Sequence, residues 1–256
     1  MPPSGTSTDP SPDDGTAAEL DADAAVVRGE DLPSARTPLD KARIVAAALE
    51  HVEEAGLATL TMRRLGTRLG VEAMSLYRYV PGKEDLLDAV VEVLIGDMHA
   101  DPEVLLEPRD GWQDFLQRLA HGVRRVALAH PKSFPLVASR PPEAPWLRPP
   151  LRSLDWVETF LSGLVGSGFS DEAAVAAYRA FCSFLLGHLL LEVSTLGADI
   201  GPLDVHEDGE DEDPRLLDHP TVRRLRRGLA QDHAAVEFEE SLEELLNRIA
   251  VLRVEL

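Results

Sequence analysis

One cysteine, Cys182, stands among 256 residues. No intrachain disulfide can form, and a reducing interior is the natural setting for such a chain. Cys182 itself reads as a small buried apolar side chain. Also missing is an N-terminal apolar run of the kind that begins a secretory leader, and no uninterrupted apolar segment reaches the roughly 18 residues of a membrane span. A cytoplasmic protein without a membrane partner is expected. There is no GxSxG, HExxH or CxxC string and no phosphate-cradling glycine loop, and His121, His130, His188 and His233 have no metal-ligand spacing. These absences argue against an enzyme and predict no catalytic residue, no metal and no cofactor. Nor does any stretch alternate apolar and polar residues as a strand would.

What the chain has in quantity is apolar residues at helical spacing and negative charge. At 44% hydrophobic it can bury the core of one or two domains. A formal charge of -20 would repel a polyanion if it were spread evenly. It is not: from Arg36 to Lys83, eight bases (Arg36, Lys41, Arg43, Arg63, Arg64, Arg68, Arg78, Lys83) face five acids. Screening confines each charge to about 8–10 Å at physiological salt, so the local balance decides what this segment approaches. Residues 1–35 are rich in Pro, Ser, Asp and Ala with few large apolar side chains, and read as a disordered acidic tail. A second solvated segment is expected at Gly197–His219, which carries seven acids between Asp204 and Asp213.

The basic segment contains LTMRRLGTRLGVEAMSLYRYVPGKEDLL, Leu60 to Leu87. Thr61 can cap a short helix by accepting from a free N–H of its first turn. Leu65 and Leu69 share one face, Gly70 permits a sharp turn, and Val71 plugs the corner. A second short helix is predicted over Glu72–Val80, with Leu76 and Val80 inward and Ala73, Met74, Ser75, Tyr77, Arg78 and Tyr79 outward or flanking. Pro81 and Gly82 end it, and Lys83 opens the next helix. A preceding helix should run from a cap at Thr37, with Pro38 in its first turn, to Ala55 before Gly56. Three helices with one cationic, hydroxyl-bearing face suit phosphates and base edges, although an ordinary helical hairpin in a core has the same apolar spacing.

The string TMRRLGTRLGV followed by LYRYVPGKEDLLDAV resembles the DNA-binding domain of the TetR family of one-component repressors. GWQDFL and the stretch from His130 to Pro141 extend the resemblance into the tetracycline-repressor branch of that family. It implies an all-α fold with an N-terminal helix-turn-helix DNA-binding domain, residues 36–82, and a C-terminal helical ligand-binding and dimerisation domain, residues 83–256. It further implies that Arg63 and Arg78 read bases, that Ala73, Met74, Ser75, Tyr77 and Tyr79 share the recognition surface, and that Thr61 and Lys83 lie near phosphates. Ala73 replaces a residue able to pair with adenine, and Arg78 replaces an aromatic with a cation able to bond guanine at two points. Tyr77 could instead pack on the first helix.

In the body, helices are predicted over about Lys83–Met98, from Trp112 to an end at His130-Pro131, and over Ser133–Ser139, Leu151–Gly166, Asp171–Leu196, Pro220–His233 and Glu239–Leu252. The Asp171–Leu196 segment is apolar on more than one side and needs several neighbours. A four-helix bundle between two subunits would supply them, as the resemblance also implies. For the ligand, His99 falls where that branch has a drug-touching histidine, though an exposed histidine at a helix end is the plainer account. The pocket amide and aromatic fall on Leu119 and Val123, and the magnesium-ligating histidine on Leu136. Leucine cannot ligate magnesium, so a small, largely apolar effector is expected. The resulting expectation is a repressor released from a palindromic DNA operator by that effector; the alternative is a constitutive DNA-binding protein without effector control.

Overall fold

The computed structural model describes residues 38–104, 108–140, 144, 146–147, 153–200 and 218–255. The expected tail, residues 1–35, and the acidic stretch between Asp204 and Asp213 lie outside them. Among the described residues the secondary structure is helical, with no strand.

The first helix, α1 (Lys41–Ala55), buries Ile44, Val45, Ala48 and Val52. Its cap is Asp40 rather than Thr37: the Asp40 carboxylate accepts from the Arg43 N–H at 2.8 Å. A carboxylate next to the first turn is the stronger acceptor and also favours the positive helix end. Gly56 closes α1 at φ 82°, and a short 3-10 turn, Leu57–Thr59, leads to α2 (Met62–Leu69). Thr61 caps α2 as expected, accepting from the Arg64 N–H at 3.2 Å. Gly70 follows in the left-handed region at φ 69°.

The next helix, α3, is shorter than its apolar spacing predicted. It covers Ala73–Leu76 instead of Glu72–Val80, and Tyr77–Tyr79 form turns. Pro81 disfavours helical geometry at Val80, and the Tyr79 N–H already reaches back only three residues, to the Leu76 carbonyl at 2.9 Å. The anchors hold nonetheless: Leu76 is fully buried and Val80 is 1% exposed. The linking helix α4 (Lys83–Ala100) buries Leu86, Leu87, Val90, Val91 and Leu94 and packs on α1.

Next comes α5 (Trp112–Ala129), whose stripe of Trp112, Phe115, Leu116, Leu119, Val123 and Val126 is buried as its spacing demands. The short α6 (Pro135–Ser139) follows, then α7 (Leu154–Gly166), capped by Ser153. The buried stripe of α7 centres on Trp156, Val157, Phe160 and Leu164; Leu154, expected inside, is exposed. Two long helices complete the core, α8 (Asp171–Thr195) and α10 (Ala234–Glu255), and they pack on each other and on α5. Between them α9 (Pro220–Leu229) buries none of its residues. The last two helices break earlier and start earlier than expected, because Ala230–His233 form the turn between them.

By length and mean hydropathy alone α8 could cross a membrane. Here part of its apolar surface is buried against α5, α7 and α10, while Val175 and Leu191 stay exposed. Its end carries a buried ion pair: the Arg124 guanidinium of α5 donates to both Glu192 carboxylate oxygens, at 3.1 and 2.5 Å.

Candidate nucleic-acid interface and ligand cavity

Two apolar pegs, Leu76 and Val80, fix a short helix and turn whose remaining side chains stay at the surface. Met74 is 75% exposed, Tyr77 and Tyr79 are 42% exposed each, Arg78 is exposed, and Ala73 and Ser75 are half-buried. On α2, Arg63 is exposed, and Thr61 and Lys83 lie at the starts of α2 and α4, Thr61 exposed and Lys83 half-buried. The Thr61 hydroxyl oxygen is already engaged as the α2 cap.

The other arginines of this segment are diverted. Arg68 donates to Glu54 at 2.5 and 2.9 Å and to Glu50 at 3.0 Å. The Glu54 and then the Glu50 hydrogen bond raise the Arg68 pKa above its ordinary value, and the Arg68 bond lowers that of the Glu54 carboxyl. Arg64 donates to the Thr59 carbonyl at 3.0 Å. Among the described residues Arg63 and Arg78 enter no ion pair. Arg64, bonded only to a neutral carbonyl, and Lys83 also enter no ion pair among the described residues, so the local excess of base read from composition rests on these four.

Gly66 is a packing position that sequence reasoning missed. A Cβ there would lie 2.9 Å from the Val71 carbonyl oxygen and 3.1 Å from the Ala73 nitrogen. It is the point where α2 and α3 touch backbone to backbone. The signal was present as a glycine inside a helical pattern, where a close approach is one reason for it.

Within the body, a cavity of about 60 Å³ opens among α4, α5, α7 and α8. Trp156, Phe160, Tyr178 and Phe181 give it aromatic walls, and Leu119 and Val123 line it as expected. Leu136 does not: it is buried at 2% exposure, and its neighbour Val137 forms the wall. His99 is not in the wall either; its ring stacks on the lining residue Trp156, with centroids 4.7 Å apart and planes 12° from parallel. Trp156, Phe160 and Tyr178 went unassigned because their places depend on how α7 and α8 cross. Among the described residues no Asp, Glu, His, Lys or Arg lines this space. Its two ionisable groups are held neutral: burial pushes the Cys182 thiol up to about 12 and raises the Tyr178 phenol above its usual range. Among the described residues no three His, Cys, Asp or Glu side chains are placed to hold a metal ion.

Residues 44–90 match the family model of bacterial regulatory proteins of the tetR family, and residues 106–252 match the tetracyclin repressor-like C-terminal domain. The chain belongs to the TetR family. A tetracycline repressor of class G from Vibrio anguillarum is 30% identical over 186 residues, 73% of this chain and 77% of that relative. A possible TetR family transcriptional regulator from Streptomyces coelicolor A3(2) superposes with a TM-score of 0.65 at 30% identity, covering 84% of this chain and 100% of that one. A variant of TetR from Acinetobacter baumannii AYE in complex with minocycline superposes with a TM-score of 0.60 at 26% identity, covering 84% and 99%. As a TetR family member with both domains, the protein is a ligand-responsive DNA-binding transcriptional regulator.

Proposed function

We propose that this TetR family protein is a cytoplasmic homodimeric repressor, not an enzyme, which holds a palindromic DNA operator until a small, largely apolar effector enters the cavity. One observation carries the DNA reading: Leu76 and Val80 are sunk in the core while Met74, Tyr77, Arg78 and Tyr79 face solvent from the same short element. In this reading residues 36–82 form the DNA-binding unit and 83–256 the body. Arg63 and Arg78, cations in no ion pair among the described residues, contact base edges. Ser75, Tyr77, Tyr79, Lys83 and Thr61 position the unit on the backbone, and Ala73 and Met74 complete the surface.

Two copies are needed because one element reads only half a site; a dimer spaces two such elements by about 34–36 Å, one turn of DNA. The apolar side chains that α8 and α10 still expose, Val175, Leu191, Val236, Val251 and Val254, supply the dimer face. For the effector, Leu119 and Val123 contact it directly, Leu136 supports Val137 from behind, and His99 acts through Trp156. Aromatic walls without a charge favour an uncharged planar molecule, and minocycline, bound by the A. baumannii variant, shows that a polycycle fits this fold. A magnesium-dependent effector is disfavoured, since Leu136 offers carbon where a ligand atom is required. The cavity is also what favours effector control over a constitutive DNA-binding role.

The test is selection of a duplex from a random pool by the full-length protein, followed by anisotropy titration. A palindromic duplex bound tightly, with affinity that falls as salt rises, is expected. Loss of sequence preference in the double variant Arg63→Ala, Arg78→Ala supports the assignment. Retained preference refutes it.

A further inference from the structure

Trp156 is 8% exposed and borders the cavity, yet its buried indole nitrogen has no hydrogen-bond partner among the described residues. A buried donor left unpaired is destabilising, and native interiors hold few of them. The other polar groups in the wall are engaged. The Ser153 hydroxyl oxygen accepts from the Trp156 backbone N–H at 3.3 Å, as the cap of α7. The Tyr178 phenol and the Cys182 thiol are hydrogen-bonded to each other. The indole is also held in place from two directions. The Ser153 cap fixes its backbone in the first turn of α7, and His99 covers one ring face at 4.7 Å with its plane 12° from parallel. The direction of the free N–H is therefore set before any occupant arrives.

We propose that the Trp156 indole N–H is the specificity-determining donor of the effector site, and that the effector is an uncharged planar polycycle with a carbonyl oxygen on its edge. This inference rests on the effector reading given above and adds the chemistry that selects the occupant. An indole nitrogen donates and does not accept, so the occupant must bring the acceptor. A carboxylate or phosphate would also accept, but no Lys or Arg among the described residues lines the wall, and burying an unpaired ion costs more than one hydrogen bond returns. A hydroxyl would carry in a hydrogen of its own, which then needs a further acceptor, whereas a carbonyl leaves no donor unpaired. Phe160, Tyr178 and Phe181 complete the aromatic walls and favour a flat ring system between them. The same donor discriminates against a hydrocarbon of identical shape, which would leave the N–H buried and shut off from water.

The experiment uses the full-length protein and a matched pair of probes, fluorenone and fluorene, which share one flat ring system and differ by a carbonyl oxygen. Each is titrated calorimetrically into the unaltered protein and into Trp156→Phe. The expected result is that the unaltered protein binds fluorenone about tenfold or more tightly than fluorene, and that Trp156→Phe separates them by less than about twofold. The ratio cancels the space that the smaller ring opens, because both probes gain it. Proton–nitrogen correlation spectra supply a second readout: the chain's three tryptophans give three indole signals, and Trp156→Phe identifies its own by loss. That signal should move downfield with fluorenone and not with fluorene, a selectivity that a purely packing role would not produce. A preference for fluorenone that persists in Trp156→Phe, or that the unaltered protein lacks while binding both probes, overturns the donor role and leaves the effector reading standing. Binding of neither probe overturns the cavity as an effector site and this inference with it. If Trp156→Phe does not fold, benzothienylalanine in place of Trp156 keeps the shape while sulfur replaces the N–H, and the same criteria apply.

Discussion

Replacing Arg78 by alanine tests the reading of the DNA face most directly. The side chain is exposed, enters no ion pair among the described residues, and extends from a turn pinned by Leu76 and Val80, so its loss should leave the fold intact. A two-point bond to guanine contributes about 1–3 kcal/mol of discrimination per half-site. A dimer has two half-sites, and well-separated losses add, giving about 2–6 kcal/mol, or roughly thirtyfold to 10⁴-fold in affinity for the preferred duplex. Anisotropy titrations should be run on that duplex and on duplexes with each guanine substituted, at several salt concentrations. The expected outcome is that Arg78→Ala weakens the preferred duplex towards the affinity of the substituted ones, with little change in the salt slope. A residue that neutralises a phosphate behaves otherwise: Lys83→Ala should weaken all duplexes alike and reduce the salt slope by about one for each phosphate left without its cation. Should Arg78→Ala weaken every duplex equally and flatten the salt slope, Arg78 sits on the backbone and the base-reading argument is wrong.

Four further outcomes follow from the geometry. Gly66→Ala drives a methyl into the Val71 and Ala73 backbone, which should cost about 1–3 kcal/mol in denaturant unfolding and weaken operator binding by altering how α3 is presented. Thr61→Ala removes the α2 cap and should cost about 1 kcal/mol, a fall of about 2–4 °C in melting temperature for a chain of this size. Arg124→Met strands the Glu192 carboxylate, 7% exposed, and should cost about 3 kcal/mol by chemical denaturation, whereas an equally stable variant would show that water reaches that site. The Cys182 thiol, pushed up to about 12 by burial, should resist thiol reagents at pH 8 in the native protein and react at once in guanidinium. The same shift disfavours the folded state only at high pH: both states keep the proton well below pH 8.5, and stability is lost as pH rises from the unfolded thiol's value of about 8.5 through about 12.

The head of the molecule was more legible in its sequence than the body, and the reason is range. Thr61, Gly70, Leu65, Leu76 and Val80 act on neighbours within a few residues, so spacing alone reveals them. The α3 helix was overdrawn because apolar periodicity continues to Val80 after the backbone has left helical geometry, and periodicity reports which side chains point inward, not which hydrogen bond each N–H makes. Thr37 was read as the cap of α1, and Asp40, three residues on, holds that place instead. In the body, Leu119 and Val123 were assigned through the resemblance, and both line the cavity. Leu136 fell one residue from the wall, where a short helix after a loop leaves register open. Trp156, and the bonds from Glu53 to Ser133 and from Arg140 to Asp88, join residues that are 80 and 52 positions apart in the last two cases. Nothing local announces them.

The cavity holds about 60 Å³, room for roughly two water molecules. Any visitor larger than that must displace the lining around Trp156, so its net grip is reduced by whatever that displacement costs. Weakly binding metabolites are screened out before they touch the switch. So small a space thus works as a threshold filter, keeping the gene silent against chemical noise and yielding only to a compound whose burial outweighs the effort of making space.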